Sequence, residues 1–129
     1  MSNLTSISPF FIVADLRPAV SFYIDKLGFK IRYIGPDDDP FWAIVGRDEI
    51  SIMLKTIAPD IKPLPNHTRH MWARWDAFIY TSDPDSLFQE YRGKELMFHQ
   101  SLRNDGDGLR GFEIKDADGY VLFFGRPWP

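Results

Sequence analysis

Three histidines and one aspartate are the side chains of this sequence best suited to acid–base or metal chemistry. His67 and His70 are three positions apart, and Asp76 follows shortly after them. Because the pair lies in a proline-rich stretch and not on a helix, its spacing is no recognised metal signature and favours a solvated or substrate-facing loop. His99 stands alone in a predicted strand, which favours a hydrogen-bonded structural histidine over a catalytic base. The histidines alone therefore define no reaction.

The aromatic content points to a different chemistry, the binding of a small organic ligand. The chain contains 11 Phe, 5 Tyr and 4 Trp, and aromatic residues make up 16% of it. That fraction is high for a small domain, so some rings are expected to line a cavity instead of filling the core. No Ser-His-Asp arrangement or Gly-rich phosphate loop is visible in the sequence.

The elements that must position these residues occur twice. Asp15 precedes one helical pattern and Asp83 precedes another about 68 residues later. Each half then ends in an apolar hairpin, at residues 41–54 and 112–124. A weak repeat of this kind is typical of two similar supersecondary units. Each half is predicted to be a strand, a helix and three strands, which places the protein in the α+β class.

Periodicity and chain breakers give the boundaries in the first half. A strand is predicted over residues 7–13, where Pro9 favours an edge or bulged position. Apolar residues at helical spacing follow the N-cap Asp15, and Gly28 ends the helix. A second strand is predicted over residues 29–34.

The second half follows the same order. A strand is predicted over residues 71–80, and Asp83 caps a helix that ends at Gly93. Another strand is expected over residues 97–102, before the closing hairpin. The tryptophans at 72 and 75 would then lie at the start of a strand.

A proline-rich connection separates the halves. Prolines at 59, 63 and 65 predict an irregular loop over residues 56–69, and long loops of this kind are often functional. The sequence therefore predicts a single domain over residues 1–129. It would be built from repeats 1–58 and 70–129, joined by the loop.

Composition and charge exclude several classes of partner. The net charge of -3 is small and scattered, so the chain has no basic footprint for nucleic acid or a membrane surface. It has no cysteine, which excludes disulfides and thiolate metal sites and suits a reducing compartment. Its first residues lack the basic flank and apolar run of a signal peptide. These features favour a cytoplasmic location.

Two segments carry a resemblance to a known family. The opening residues 11–16, with Phe22, Tyr23 and the Leu-Gly-Phe of 27–29, and the closing residues 112–120 resemble the vicinal oxygen chelate superfamily. That superfamily includes glyoxalases, extradiol dioxygenases and bleomycin resistance proteins. The resemblance covers nearly the whole chain. It implies two tandem βαβββ units that form an open curved mixed sheet, a half-barrel, around a cleft.

The resemblance also locates four positions that hold a divalent ion in the metal-dependent members. Here those positions fall on Ser8 and Asp76 near the start of each half, and on Met53 and Phe123 in the last strands. Only Asp76 is a good ligand, because a thioether and a phenyl ring cannot supply the hard donors that such an ion needs. The expectation is therefore a cleft without metal or other cofactor.

The remaining cleft residues suit a small organic ligand that is aromatic or cationic. Stacking would hold the ligand and a few polar groups would orient it. Because a carboxylate in an apolar cleft needs a partner, Asp76 is expected to pair with Arg74, Arg110 or a cationic ligand. Each tryptophan is equally compatible with a core or dimer contact. The candidate ligand-binding residues are Ser8, Trp42, Met53, Trp72, Trp75, Asp76, Arg110, Glu113 and Phe123.

Three function classes follow from the resemblance. The first is a metal-free binding protein similar to bleomycin resistance proteins, which sequester a drug in a cleft shared by two subunits. The second is a lyase, isomerase or dioxygenase of the glyoxalase type, with a divalent metal or with Asp76 or Glu113 as base. The third is a module that has lost its site. Gly111 stands where that branch usually has Glu, so the ligand itself stays open. The family and the exposed edge strands also predict a homodimer.

Overall fold

The computed structural model describes residues 2–129, which divide into two compact units. Unit 1 ends at Lys62 and contains one helix and one four-stranded sheet in the order β1-β4-β3-β2. Strand β1 runs parallel to β4, and the other neighbours are antiparallel. The elements are β1 (Phe10–Ile12), α1 (Leu16–Ser21), β2 (Lys30–Gly35), β3 (Trp42–Arg47) and β4 (Ile50–Lys55).

Unit 2 begins at Pro63 and repeats this arrangement. Its sheet has the order β5-β8-β7-β6, and β5 runs parallel to β8. The elements are β5 (Ala77–Tyr80), α2 (Pro84–Arg92), β6 (Phe98–Asn104), β7 (Leu109–Lys115) and β8 (Val121–Pro127). The predicted α+β class and the two βαβββ units are therefore confirmed. That the units act as a single domain stays a prediction.

Strand pairing reproduces the offset of the sequence repeat. In unit 1, Phe10 pairs with Met53; in unit 2, Phe78 pairs with Phe123. The first members of these pairs are 68 positions apart and the second members 70 apart, as the sequence indicated. Met53 and Phe123, the two last-strand positions that the family resemblance marks, are therefore equivalent in the two units.

Each helix covers one face of its own sheet. In unit 1, Leu16, Ala19 and Val20 of α1 are buried, as are Val45 and other alternate residues of the strands. In unit 2, the fully buried Tyr91 of α2 packs edge-on against the stacked rings of Phe112 and Phe124. Burial of such side chains contributes roughly 1.5 to 3 kcal/mol each relative to exposure.

Two strands are shorter than predicted. The strand expected over residues 7–13 covers only Phe10–Ile12, because Pro9 has no N–H and contributes only its carbonyl, which accepts from Met53 N. The strand expected over residues 71–80 begins at Ala77. Its partner strand β8 begins at Val121, whose carbonyl already accepts from Asp76 N. Residues before Asp76 therefore have no residue of β8 to pair with.

The first helix changes its winding partway along. It is α-helical through Ser21 and becomes π-helical over Phe22–Lys26, and it ends before Gly28 as predicted. Gly28 has a φ of 74°, a left-handed conformation that glycine adopts without steric cost. Among residues 2–129, no helix is long and apolar enough to cross a membrane.

The two helix N-caps differ, although both are aspartates as predicted. Asp83 Oδ1 accepts a hydrogen bond of 3.1 Å from Ser86 N, whereas the side chain of Asp15 makes no capping bond. We therefore expect Asp83→Ala to lower the free energy of unfolding by about 1 kcal/mol, the usual loss of a cap. Asp15→Ala should change it by less than about 0.5 kcal/mol. Urea denaturation of both variants checks this, and equal losses would contradict it.

Candidate functional site

Unit 2 carries an aromatic cluster on the sheet face opposite α2. The ring of Phe123 lies 5.0 Å from that of Trp75 and 4.7 Å from that of Phe78, and Tyr80 lies 4.5 Å from Phe78. Phe123 is buried, whereas Trp75 and Phe78 are partly exposed. Phe123 thus supports two rings whose surfaces remain available to a ligand. This set, Trp75, Phe78, Tyr80 and Phe123, is called the aromatic cluster below.

A pair of glycines makes room for the central ring. Gly111 and Gly125 are paired across β7 and β8. A Cβ on Gly111 would lie 2.6 Å from the Phe123 ring, and one on Gly125 would lie 2.5 Å from it. The ring therefore lies flat over both glycines, in space that any larger residue would fill. At position 111 a Cβ would also lie 2.3 Å from the backbone oxygen of Phe124, so both the ring and the neighbouring strand require glycine there.

A buried carboxylate lies next to the aromatic cluster. Glu113 pairs with Phe123 in the sheet, and its side chain is only 5% exposed. Its Oε2 accepts from Arg74 Nη2 at 3.1 Å, and its Oε1 lies 3.9 Å from His99 Nε2. The ion pair with Arg74 is what allows the carboxylate to be buried, because an isolated charge would cost several kcal/mol.

Arg74 joins this carboxylate to two others and to a ring. Its guanidinium lies 3.2 Å from Asp105, 3.0 Å from Asp107 and 4.5 Å from the centre of the Trp75 ring. Burial lowers the pKa of Arg74, but hydrogen bonds to Glu113 and Asp105 outweigh it and the pKa is raised overall. Arg74 therefore stays charged and fixed.

The set of Arg74, Asp105, Asp107 and Glu113, here called the Arg74 cluster, has an excess of negative charge. One guanidinium faces three carboxylates, which leaves a formal charge of -2. Burial opposes ionisation of Asp105, but backbone N–H groups of Asp107 and Leu109 and the Arg74 side chain hold its pKa below the usual value. Asp105 therefore stays ionised near neutral pH, and the negative formal charge of the cluster can attract a cation.

His99 faces this cluster from β6, on the side opposite to Phe98, whose ring packs against Phe88 and Phe112. The register between β6 and β7 shifts between Phe98 and Gln100, on either side of His99. Burial lowers the pKa of His99, although Glu113 partly opposes the shift. His99 is therefore neutral at pH 7 and can accept a proton. Its ring lies 5.6 Å from that of His67, whose Nε2 is 3.0 Å from Gly119 O.

Asp76 has a structural role in unit 2. Its Oδ1 accepts from Asn66 N at 2.9 Å, and its Oδ2 accepts from Val121 N at 2.8 Å. The expected pairing with Arg74 or Arg110 is wrong, since both arginines bond other carboxylates. Asp76 instead ties the loop at Asn66 to the start of β8, and each of its oxygens accepts one backbone N–H.

Arg110 and Trp72 also lie away from the aromatic cluster. Arg110 precedes Gly111 on β7, so its side chain points to the opposite face, the helix side. There its Nε and Nη2 donate to Asp85 at 2.8 and 2.6 Å. It therefore anchors the start of α2 and does not line the ligand face. Trp72 is 81% exposed in a loop, because the strand predicted around it begins only at Ala77.

In unit 1, two predicted residues share the sheet face opposite α1. Trp42 and Met53 lie on the same side, because Ile44, two residues after Trp42, pairs with Met53. The Trp42 ring lies 4.9 Å from that of Tyr33, and its Nε1 is buried with no hydrogen-bond partner among residues 2–129. Ser8 lies just before β1, so it is positioned by loop backbone.

The four positions expected to hold a metal in related proteins do not fit one here. Met53 and Phe123 offer no hard donor, and both oxygens of Asp76 accept from backbone N–H groups. Among residues 2–129, no group of three histidine, aspartate or glutamate side chains is arranged to hold a metal ion. A convergence of all four positions on one cleft would involve both units and stays a prediction.

Sequence reasoning missed most of the Arg74 cluster. Asp105 and Asp107 lie in an Asp-Gly-Asp-Gly turn, a pattern that predicts a loop. It does not predict the ion pair between Asp105 and Arg74, which lies 31 positions earlier in the chain. Phe78 could have been found, since it occupies the position paired with Phe123. Alternation with Phe98 could have placed His99 on this face, but its distance of 3.9 Å from Glu113 depends on how β6 pairs with β7.

Most of the chain matches a known protein family. A family model described as Glyoxalase/Bleomycin resistance protein/Dioxygenase superfamily matches residues 6–124. No curated protein sequence matches the chain.

Solved structures share the fold at low identity. A glyoxalase/bleomycin resistance protein/dioxygenase from Alicyclobacillus acidocaldarius aligns with a TM-score of 0.76 and 18% identity, covering 100% of this chain and 96% of that one. A bleomycin-binding protein from Streptomyces verticillus, complexed with copper(II)-bleomycin, has a TM-score of 0.69 and 22% identity over 96% and 97% of the chains. TnmS3, an antibiotic binding protein from a Streptomyces species, has a TM-score of 0.68 and 18% identity over 98% and 99%.

The structural role of Asp76 gives a direct prediction. In Asp76→Asn only one side-chain oxygen remains, so either Asn66 N or Val121 N would face an amide NH2 instead of an acceptor. We expect the free energy of unfolding to fall by about 1 to 3 kcal/mol. Asp60→Asn, at an exposed loop position, is the matched control and should change it by less than about 0.5 kcal/mol. Urea denaturation at pH 7 measures both, and indistinguishable variants would refute the role.

Proposed function

Because the chain belongs to the glyoxalase/bleomycin resistance protein/dioxygenase superfamily, we propose that it is a metal-free binding protein for a small aromatic, cationic molecule. The observation that carries this proposal is the Arg74 cluster beside the aromatic cluster of unit 2. It places an excess of carboxylates against partly exposed rings. A planar cation would match both features, by stacking on the rings and by charge attraction.

The chemistry of the cluster favours sequestration. Glu113 is held by Arg74, and Asp105 is held by backbone N–H groups, so neither must move to receive a ligand. Asp107 is the exposed member, with its side chain 73% exposed. Two fixed charges and one exposed charge suit a site that recognises a cation without transforming it.

The comparisons support the proposal at the level of the family. Two solved proteins with this fold bind bleomycin or an antibiotic, although identities of 22% and 18% carry only the fold. The glycine at 111 and the Phe123 ring above it distinguish this chain from the Glu-bearing pattern of the bleomycin resistance branch. The ligand is therefore proposed by chemical class and not by name. A cytoplasmic location, favoured by the absence of cysteine, belongs to the same proposal.

Matched planar ligands test the binding proposal. At pH 8, 9-aminoacridine is a cation and acridine is neutral, so their difference isolates the charge. We expect 9-aminoacridine to bind more tightly, and Glu113→Gln and Asp107→Asn each to weaken it by about 1 to 3 kcal/mol. Acridine binding should change little. Isothermal titration calorimetry measures the affinities, with far-UV circular dichroism to confirm that the variants fold.

The control variant is Asp48→Asn in the hairpin of unit 1. It removes the same charge from a side chain that is 87% exposed and outside the Arg74 cluster, and asparagine tolerates its φ of 53°. It should leave both affinities unchanged. Equal binding of the two acridines, or equal losses in all three variants, would show that the Arg74 cluster is not the recognising group.

We also propose that the protein is a homodimer. Ile7 is 93% exposed and Phe10 of β1 is 52% exposed, so two large apolar side chains near the start of the chain are available to a second copy. Light scattering at high micromolar concentration should give twice the chain mass of 15.0 kDa. Ile7→Asp should shift the distribution toward monomer, since a charge at a buried contact is unfavourable. A wild-type monomer under these conditions would contradict the proposal.

A further inference from the structure

Unit 1 contains an open pocket that shares no residue with either cluster of unit 2. Its volume is about 700 Å³, which falls within the range of small-molecule sites. Three segments line it: residues 14–17 at the start of α1, residues 39–41 before β3, and residues 55–59 after β4. The pocket therefore lies at the end of the sheet where the parallel strands β1 and β4 finish.

Apolar side chains form much of the pocket surface. The side chain of Leu16 is buried, whereas Phe41 and Ile57 are 47% and 48% exposed. Backbone hydrogen bonds hold this part of the wall in place, since Thr56 N donates to Phe41 O at 2.9 Å. An exposed ring and an exposed branched side chain in one concavity give a ligand apolar surface to cover.

Charged side chains of both signs surround that surface. Among residues 2–129 none of them forms an ion pair, and only one makes a contact with a ring, the ammonium of Lys55 at 5.7 Å from the Phe41 ring centre. Two are acidic and two are basic, so the pocket has no net formal charge. These residues are Asp15, Arg17, Asp39 and Lys55.

We propose that this pocket binds a small zwitterion with an apolar or aromatic side group, a molecule of the α-amino-acid type. Its ammonium would pair with Asp15 or Asp39, and its carboxylate would pair with Lys55 or Arg17. Its side group would cover the exposed ring and branched chain of Phe41 and Ile57. A ligand with a single charge would leave half of the charged groups without a partner.

Three probes with the same phenyl side group test the proposal: L-phenylalanine, phenethylamine and 3-phenylpropionate. The second lacks the carboxylate of L-phenylalanine, and the third lacks its ammonium group. Titration of the full chain is followed by ¹H–¹⁵N correlation spectra. L-Phenylalanine should shift amide signals of residues 14–17, 39–41 and 55–59. Its affinity should exceed that of either singly charged probe by about threefold or more, the size expected for one added exposed ion pair.

Two variants separate the charges, and a third serves as the control. Lys55→Met keeps the apolar stem and should weaken L-phenylalanine about threefold while leaving phenethylamine unchanged. Asp39→Asn should weaken both amine-bearing probes. Lys30→Met, the same substitution at an exposed position of β2 that does not line the pocket, is the control and should leave the binding of all three probes unchanged.

The same spectra can overturn the proposal. Equal affinities for the three probes would mean that the charges do not recognise the ligand. Shifts confined to other segments, or no shifts with L-phenylalanine at tens of millimolar, would mean that the pocket is not a site. None of these outcomes bears on the Arg74 cluster, which the acridine titrations test separately.

Discussion

Each unit has one helix for a sheet with two faces, and this constraint organises the structure. A sheet face that is not covered by a helix must be filled by its own large side chains, by a partner or by a ligand. In unit 2, α2 covers the face that carries Phe112 and Phe124, and the opposite face carries Phe123 and Glu113. Strand alternation thus separates core residues from candidate site residues along the same two strands.

The parallel pairing of β5 with β8 sets which residues meet on the uncovered face. It places the last strand of the unit in the interior of the sheet, between β5 and β7. Phe123 then contacts Phe78 on one side and pairs with Glu113 on the other. Asp76 holds this arrangement at its start by accepting from Val121 N. The aromatic cluster and the buried carboxylate of Glu113 therefore both depend on the position of β8 between β5 and β7.

Burial of Glu113 requires a fixed cation, and Arg74 supplies it from the loop before β5. Arginine suits this position because its planar group can donate to several carboxylates while it stacks on the Trp75 ring. The two additional carboxylates exceed what neutralisation of Arg74 requires. This excess of negative charge is the observation on which the proposed recognition of a cation rests.

The sequence alone determined the architecture, because apolar periodicity and the helix breakers act over a few residues. These signals predicted the two βαβββ units, the offset of 68 residues between Asp15 and Asp83, the aspartates at both helix starts and the stop at Gly28. Trp42, Met53, Glu113 and Phe123 could be placed on strands, since alternation fixes the face of a strand residue.

Only the tertiary structure decided the partners of the charged groups. A carboxylate pairs with whatever the fold brings near it, which local pattern does not encode. Asp76 therefore bonds backbone rather than an arginine, Arg110 holds Asp85 on the helix side, and Arg74 reaches Glu113 across 39 positions of sequence. The approach of His99 to Glu113 likewise depends on how β6 pairs with β7, which the local pattern of neither strand encodes.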